Sequence, residues 1–150
     1  MIVDEIYNAL WASETLLTSG QPTEGQLKAI SADGFTAVIN LAPSNSRNAL
    51  PDEAGVVRSL DMAYFHIPVA WDNPQPADFT AFEQAMSQLP TGKTLIHCAA
   101  NFRVTAFYSL YAQKHLGWSE LQANAFRAKI WQGSDFPIWE TFLETMKNKS

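Results

Sequence analysis

Cys98 and Arg103 enclose four residues, Ala99, Ala100, Asn101 and Phe102, in the segment Leu95-Ile96-His97-Cys98-Ala99-Ala100-Asn101-Phe102-Arg103-Val104-Thr105. A thiol leaving an apolar run, then a short loop, then a guanidinium opening a helix, is a pattern with chemical consequences. Loop amides and the free N–H groups of a helix start form a nest for an anion. The helix adds about half a positive charge there. Both favour a thiolate over a thiol. Arg103 offers a planar fork that grips two oxygens of a phosphate. A thiolate facing a held tetrahedral anion is a nucleophile aimed at phosphorus. A lone Cys at a strand end is more often a core residue. The combination of strand, His-Cys, short loop, Arg and helix favours the chemical reading.

Such chemistry also needs a proton donor for the leaving oxygen and a base for water, a task that suits a carboxyl on a second strand-end loop. Asp72, in Trp71-Asp72-Asn73-Pro74, meets that description. The alternative is a turn Asp that caps its own loop. Asp78 reads as an N-cap or first-turn residue of the next helix. His97 precedes the nucleophile and reads as a satisfied, buried His. His66 and His115 read as structural. Arg47, in the polar stretch Pro43 to Pro51, reads as solvated, with the rim of the pocket as its alternative place. No metal site follows, because no His-x-His or multi-Cys spacing is present.

The elements that must position these groups alternate. Leu16 to Ser19 is a short strand candidate. Thr23 and Gln26 form a capping box that opens a helix ended by Gly34. Phe35 to Leu41 is a buried strand candidate. Ala42 to Pro51 reads as loop, Asp52 to Leu60 as helix, and Tyr64 to Val69 as strand. Pro74 and Pro76 make a rigid loop. Asp78 to Leu89 has the spacing of an amphipathic helix, and Thr94 to His97 is a short buried strand. Val104 to Leu116 is helical, Ser119 with Gln122 opens another helix, and Asp135 or Pro137 opens the last. Phe126, Trp131, Phe136 and Trp139 read as core, with an exposed patch as the alternative. This alternation predicts an α/β fold of three layers, with a mainly parallel sheet of four to five strands between helices. Ligands in such folds sit at the carboxyl ends of strands.

The chain has 150 residues, 10 Lys+Arg against 15 Asp+Glu, a formal net charge of −5 and 47% hydrophobic residues. This length predicts a single domain over 1–150. One Cys excludes an internal disulfide framework. The acidic balance argues against nucleic acid as a partner, while one Arg and a ring of amides can still hold a small anion such as phosphate or sulfate. No apolar run reaches the 18 or so residues of a membrane span. The acidic N-terminus lacks the pattern of a signal peptide, so a cytoplasmic location is expected. Oligomeric state is not legible.

The segment HCAANFRV resembles the signature loop of cysteine-dependent tyrosine and dual-specificity phosphatases. Together with SGQPTEGQLKAISADGFTAVINLAP and YFHIPVAWDNP, it makes most of the chain similar to small bacterial dual-specificity-phosphatase-like proteins. These are related to the phosphatase-like domain of β-lactamase-hydrolase-like proteins. The resemblance implies a phosphatase fold and hydrolysis of a phosphomonoester on a small molecule or phosphoprotein, with no cofactor. It implies Cys98 as nucleophile, residues 99 to 103 as phosphate loop, Asp72 as acid, and His97 as a residue that orients the loop. Departures stand beside it. The common signature has five residues between Cys and Arg, with Gly where Asn101 stands. Asn tolerates positive φ next best, and its side chain could enter the anion pocket. The shorter loop also resembles that of rhodanese-type sulfurtransferases, and a catalytically weak phosphate-binding protein is a further alternative. Val104 occupies the usual Ser/Thr position, leaving Thr105 as the hydroxyl that could support Cys98. Ala42 follows Asn40-Leu41 where the family often carries Arg.

Overall fold

The computed structural model describes residues 5–132 and 135–148. Five strands form one sheet in the order β1-β2-β5-β3-β4. They are β1 Leu10–Ser13, β2 Leu16–Ser19, β3 Phe35–Asn40, β4 Ala63–His66 and β5 Lys93–His97. β1 pairs antiparallel with β2, and the remaining neighbours are parallel. The helices are α1 Glu24–Ser31, α2 Glu53–Ser59, α3 Pro76–Ser87, α4 Phe102–His115, α5 Glu120–Ala128 and α6 Pro137–Lys147.

Alternation along the strands sorts the core into two layers. Leu17, Val38 and Leu95 point to α1 and α2, where they meet Leu27, Ile30 and Val57. Leu16, Ile39 and Ile96 point the other way and pack with Phe82, Val104, Phe107 and Trp139 of α3, α4 and α6. Phe126, Trp131 and Trp139 belong to this second layer and Phe136 packs against it, so the core reading of that group holds.

Local signals explain most boundaries. Thr23/Gln26 and Ser119/Gln122 each form both bonds of a capping box. Three differences from the sequence reading have physical causes. β1 is additional: LWAS is partly exposed and carries a bulge, so it lacks the apolar alternation that marks a strand. The ladder of β4 stops at His66, yet the Ile67 and Val69 amides still donate to Asn40 and Leu41 carbonyls at 2.9 and 3.0 Å. Pro68 between them has no N–H to give. α3 begins at Pro76 rather than Asp78, because Pro suits the first helical turn and Asp78 Oδ2 accepts from the Gln75 amide at 3.0 Å.

Candidate active site

β5 lies between β2 and β3, so the residue after it emerges at the centre of the sheet's carboxyl edge. The amide of Leu41 donates to the His97 carbonyl at 2.8 Å, and the Cys98 amide donates to the Ser19 carbonyl at 3.2 Å. Cys98 is thereby fixed between both neighbouring strands, and it is fully buried.

Three successive carbonyls beyond this point are held by three different groups. His97 Nδ1 lies 3.3 Å from the Cys98 carbonyl oxygen. The Gln21 amide donates to the Ala99 carbonyl at 3.1 Å. Asn8 Nδ2 donates to the Ala100 carbonyl at 3.1 Å. In a trans peptide the C=O and the following N–H point in opposite directions. The N–H groups of Ala99 and Ala100 therefore point away from the partners of those carbonyls, while Ala100 forms an antiparallel bridge with Gly20 on the β2 side. Gly20 permits the close approach on the β2 side, since a Cβ there would come within 2.7 Å of the Ala99 oxygen.

Asn101 then reverses the chain with φ 70°, as the N-cap of α4 without a side-chain capping bond. Its amide nitrogen donates to the Asn8 carbonyl at 2.9 Å and to Thr18 Oγ1 at 3.1 Å. The side chain thus lies on the outer side of the loop, with Asn8, and not among those N–H groups. The first amides of α4 add to that set, since the opening turn of a helix lacks internal acceptors.

Arg103 is held at one end. Its Nη1 donates to the Val69 carbonyl at 2.8 Å, and its Cζ lies 5.9 Å from the Trp71 ring centre. Its Nε is buried and has no acceptor among the described residues. A buried charged donor left in this way calls for an anionic partner. The remains of β4 supply Val69, so the strand's irregular continuation sets this side chain.

Asp72 is exposed on the turn after Trp71 and makes no hydrogen bond among the described residues, so it caps nothing there. The Trp71 carbonyl that precedes it is held by Trp139 Nε1 at 2.7 Å. Trp71, Asp72, Phe136, Pro137, Ile138 and Trp139 line a cup of about 130 Å³. The Trp71 ring also stacks on Trp139 and meets Phe102. Thr105 Oγ1 donates to the Asn101 carbonyl at 2.8 Å and accepts from Trp131 Nε1 at 3.0 Å. It supports the loop through Asn101, and among the described residues it makes no hydrogen bond to Cys98.

Other expected residues fall outside this constellation. Arg47 is exposed. His66 Nε2 lies 2.7 Å from the Ala42 oxygen, and His115 Nε2 lies 2.6 Å from Glu83 Oε2. Ala42 is buried and donates its amide to Asn40 Oδ1 at 2.9 Å.

Glu53 was not singled out from the sequence. Its Oε2 lies 2.6 Å from His97 Nε2 and its Oε1 accepts from Gln21 Nε2 at 2.8 Å. Burial pushes its pKa upward, but the His97 contact and charge, with Gln21 and Tyr64, outweigh this and hold it below the usual value. Burial also raises the neighbouring Tyr64 phenol above its ordinary range, and the Glu53 carboxylate adds to that. A first-turn Glu after an Asp N-cap is common on any helix, so only long-range packing distinguishes this one.

A sheet with β5 at its centre, a buried Cys at the strand end, loop amides and a half-free Arg define the class of cysteine-dependent phosphatase folds. Comparison with known proteins agrees. A candidate phosphatase (DUF442) from Shewanella putrefaciens CN-32 is 34% identical over 96% of this chain and 91% of its own, with a TM-score of 0.88. The chain belongs to this DUF442 family. The β-lactamase hydrolase-like protein of Agrobacterium fabrum is 30% identical over 105 residues, which are 68% of this chain. The chain spans about a quarter (24%) of the length of that curated relative. TpbA of P. aeruginosa, solved in complex with pTyr, shares the fold: 16% identity, 91% of this chain, 82% of that one, TM-score 0.71. No family model matches the chain.

Proposed function

We propose that the protein is a cysteine-dependent phosphomonoesterase. The observation that carries this is the row of three held carbonyls from Cys98 to Ala100, on the loop that leads into an Arg103 whose buried Nε lacks an acceptor among the described residues. In this reading they make a cradle of fixed donors for a tetrahedral anion, on the loop that begins with the buried Cys98 thiol. Cys98 Sγ forms a bond to phosphorus while the bond from phosphorus to the leaving oxygen breaks, and Asp72 gives that oxygen its proton. Water then attacks phosphorus, the S–P bond breaks, and Asp72 takes the proton of the water. The loop amides and Arg103 stabilise the charge that builds on the equatorial oxygens, and they need no reorganisation to do so.

The tyrosine and dual-specificity type is the finer form of the proposal. It is supported by the resemblance of the HCAANFR loop and by the fold shared with TpbA, which was solved with pTyr. Substrates in this reading are phosphorylated small molecules or phosphoproteins. The test is release of phosphate from aryl phosphates and phosphotyrosine peptides by wild type and Cys98→Ser. Turnover that disappears in Cys98→Ser supports the reading. No phosphate release by wild type overturns it. The four-residue spacing between Cys98 and Arg103 supports a second reading, sulfur transfer, which a thiosulfate-to-cyanide assay separates from hydrolysis.

A further inference from the structure

We infer that Glu53 is a positioning residue that sets the cysteine loop from both of its sides at once. The inference rests on reading this loop as an anion site, and it adds a group that the mechanism above does not use. Glu53 opens α2, on the far side of β3 from α4, and its side chain is buried. A buried carboxylate survives only when paired and hydrogen-bonded. Both of its oxygens are committed, one to His97 and one to Gln21, and both of these contacts lead to the loop.

Oε2 meets His97 Nε2 at 2.6 Å, and the other ring nitrogen of His97 lies 3.3 Å from the Cys98 carbonyl oxygen. Oε1 accepts from Gln21 Nε2 at 2.8 Å. The backbone amide of that same Gln21 donates to the Ala99 carbonyl at 3.1 Å. One carboxylate therefore anchors the two residues that hold the first two loop carbonyls. Those carbonyls dictate the direction of the Ala99 and Ala100 N–H groups. The imidazole is fixed in its plane by bonds at both nitrogens, a role carboxylates also play behind metal-bound His.

The polar groups around Glu53 are themselves tied. Asn40 Nδ2 donates to the Tyr64 hydroxyl at 3.1 Å, and Gln21 Nε2 also donates to the Pro22 carbonyl at 3.0 Å. Glu53→Gln keeps the shape and can still accept from Gln21 Nε2, but its amide N–H faces His97 Nε2, so that contact survives only with the ring nitrogen as acceptor and the charged pairing of the first arm is lost. Gln21→Met removes the second arm alone and leaves the Gln21-position backbone amide on Ala99.

The experiment measures inorganic phosphate affinity by calorimetry and aryl phosphate kinetics on wild type, Glu53→Gln and Gln21→Met, with folding checked by circular dichroism. The expected result is phosphate binding weakened about 10- to 100-fold in folded Glu53→Gln, the range seen when a group orienting a ligand-holding His is removed. KM should rise with it, and Gln21→Met should show a smaller loss in the same direction. A purely structural Glu53 would lower the melting temperature and leave phosphate affinity unchanged in the folded protein. That outcome overturns the inference, as does unchanged affinity in folded Gln21→Met if Glu53→Gln fails to fold. Wild type that binds phosphate without turnover, with binding weakened in Glu53→Gln, sustains the inference while the phosphatase reading falls. Wild type that does neither overturns both.

Discussion

Replacing Asn101 by Gly and by Ala separates two effects that the loop combines. Asn101 holds φ 70°, where a Cβ is unwelcome. Either substitution removes the amide that donates to Asn8 and Thr18. Each such bond contributes about 1 kcal/mol. Either also removes the buried Oδ1 that has no donor among the described residues, which relieves about 1–3 kcal/mol. These terms nearly cancel, so Asn101→Gly should stay within about 1 kcal/mol of the parent. Asn101→Ala has the same losses and adds a left-handed strain of about 1–2 kcal/mol. At about 2.1 cal/mol/K per residue, the unfolding entropy of this chain converts 1 kcal/mol into about 3 °C. Asn101→Ala should therefore melt about 3–6 °C below Asn101→Gly by scanning calorimetry. Phosphate affinity should be kept in the Gly variant, because the amide side chain lies on the outer face of the loop. Equal melting temperatures for Gly and Ala would refute the strain argument, and lost phosphate binding in the Gly variant would refute the placement of the side chain.

Asp72→Asn should reduce hydrolysis of alkyl phosphates by about 10²–10⁴-fold and that of aryl phosphates with good leaving groups far less. Equal losses for both would remove Asp72 as the proton donor. Trp139→Phe keeps a ring in the core but deletes the N–H that holds the Trp71 carbonyl. It should cost about 1–2 kcal/mol in urea denaturation and slow turnover by loosening the loop that carries Asp72; unaltered kinetics would count against that coupling. Glu53 has a folded pKa below its usual 4.5, so its stabilising effect is complete above that pH and is lost as pH falls through the lower folded value. Glu53→Gln should then lose stability less steeply than wild type in urea titrations at falling acid pH, and identical slopes would contradict the assignment.

The alternation of elements was legible because each depends on local chemistry. Capping boxes at Thr23 and Ser119, the turn at Pro74 to Pro76, and the apolar runs of β3 and β5 act within a few residues. The Cys98 loop was legible for the same reason, as strand end, tight turn and helix start lie together in sequence. What escaped notice depends on distant partners. Asn8 reaches Ala100 across 92 positions, and Gln21 and Glu53 meet across 32. Neither carries a signal in its own neighbourhood. Val69 likewise became the acceptor for Arg103 only through the three-dimensional course of the chain after β4. The open question about Thr105 had a local answer, because a hydroxyl in a first helical turn commonly bonds back to a preceding carbonyl.

The position of β5 has a consequence for how the site comes into being. β2 and β3 touch it from either side and do not pair with each other, so the sheet cannot close until residues 93–97 have arrived. The N-terminal braces Asn8 and Gln21 must also wait for the loop they hold. Such non-local closure makes assembly slow relative to local helix formation. A nascent or truncated chain ending before β5 would hold two half-sheets and no cradle at all. Closure of the sheet and formation of the loop after Cys98 thus arrive together, because the same strand delivers both.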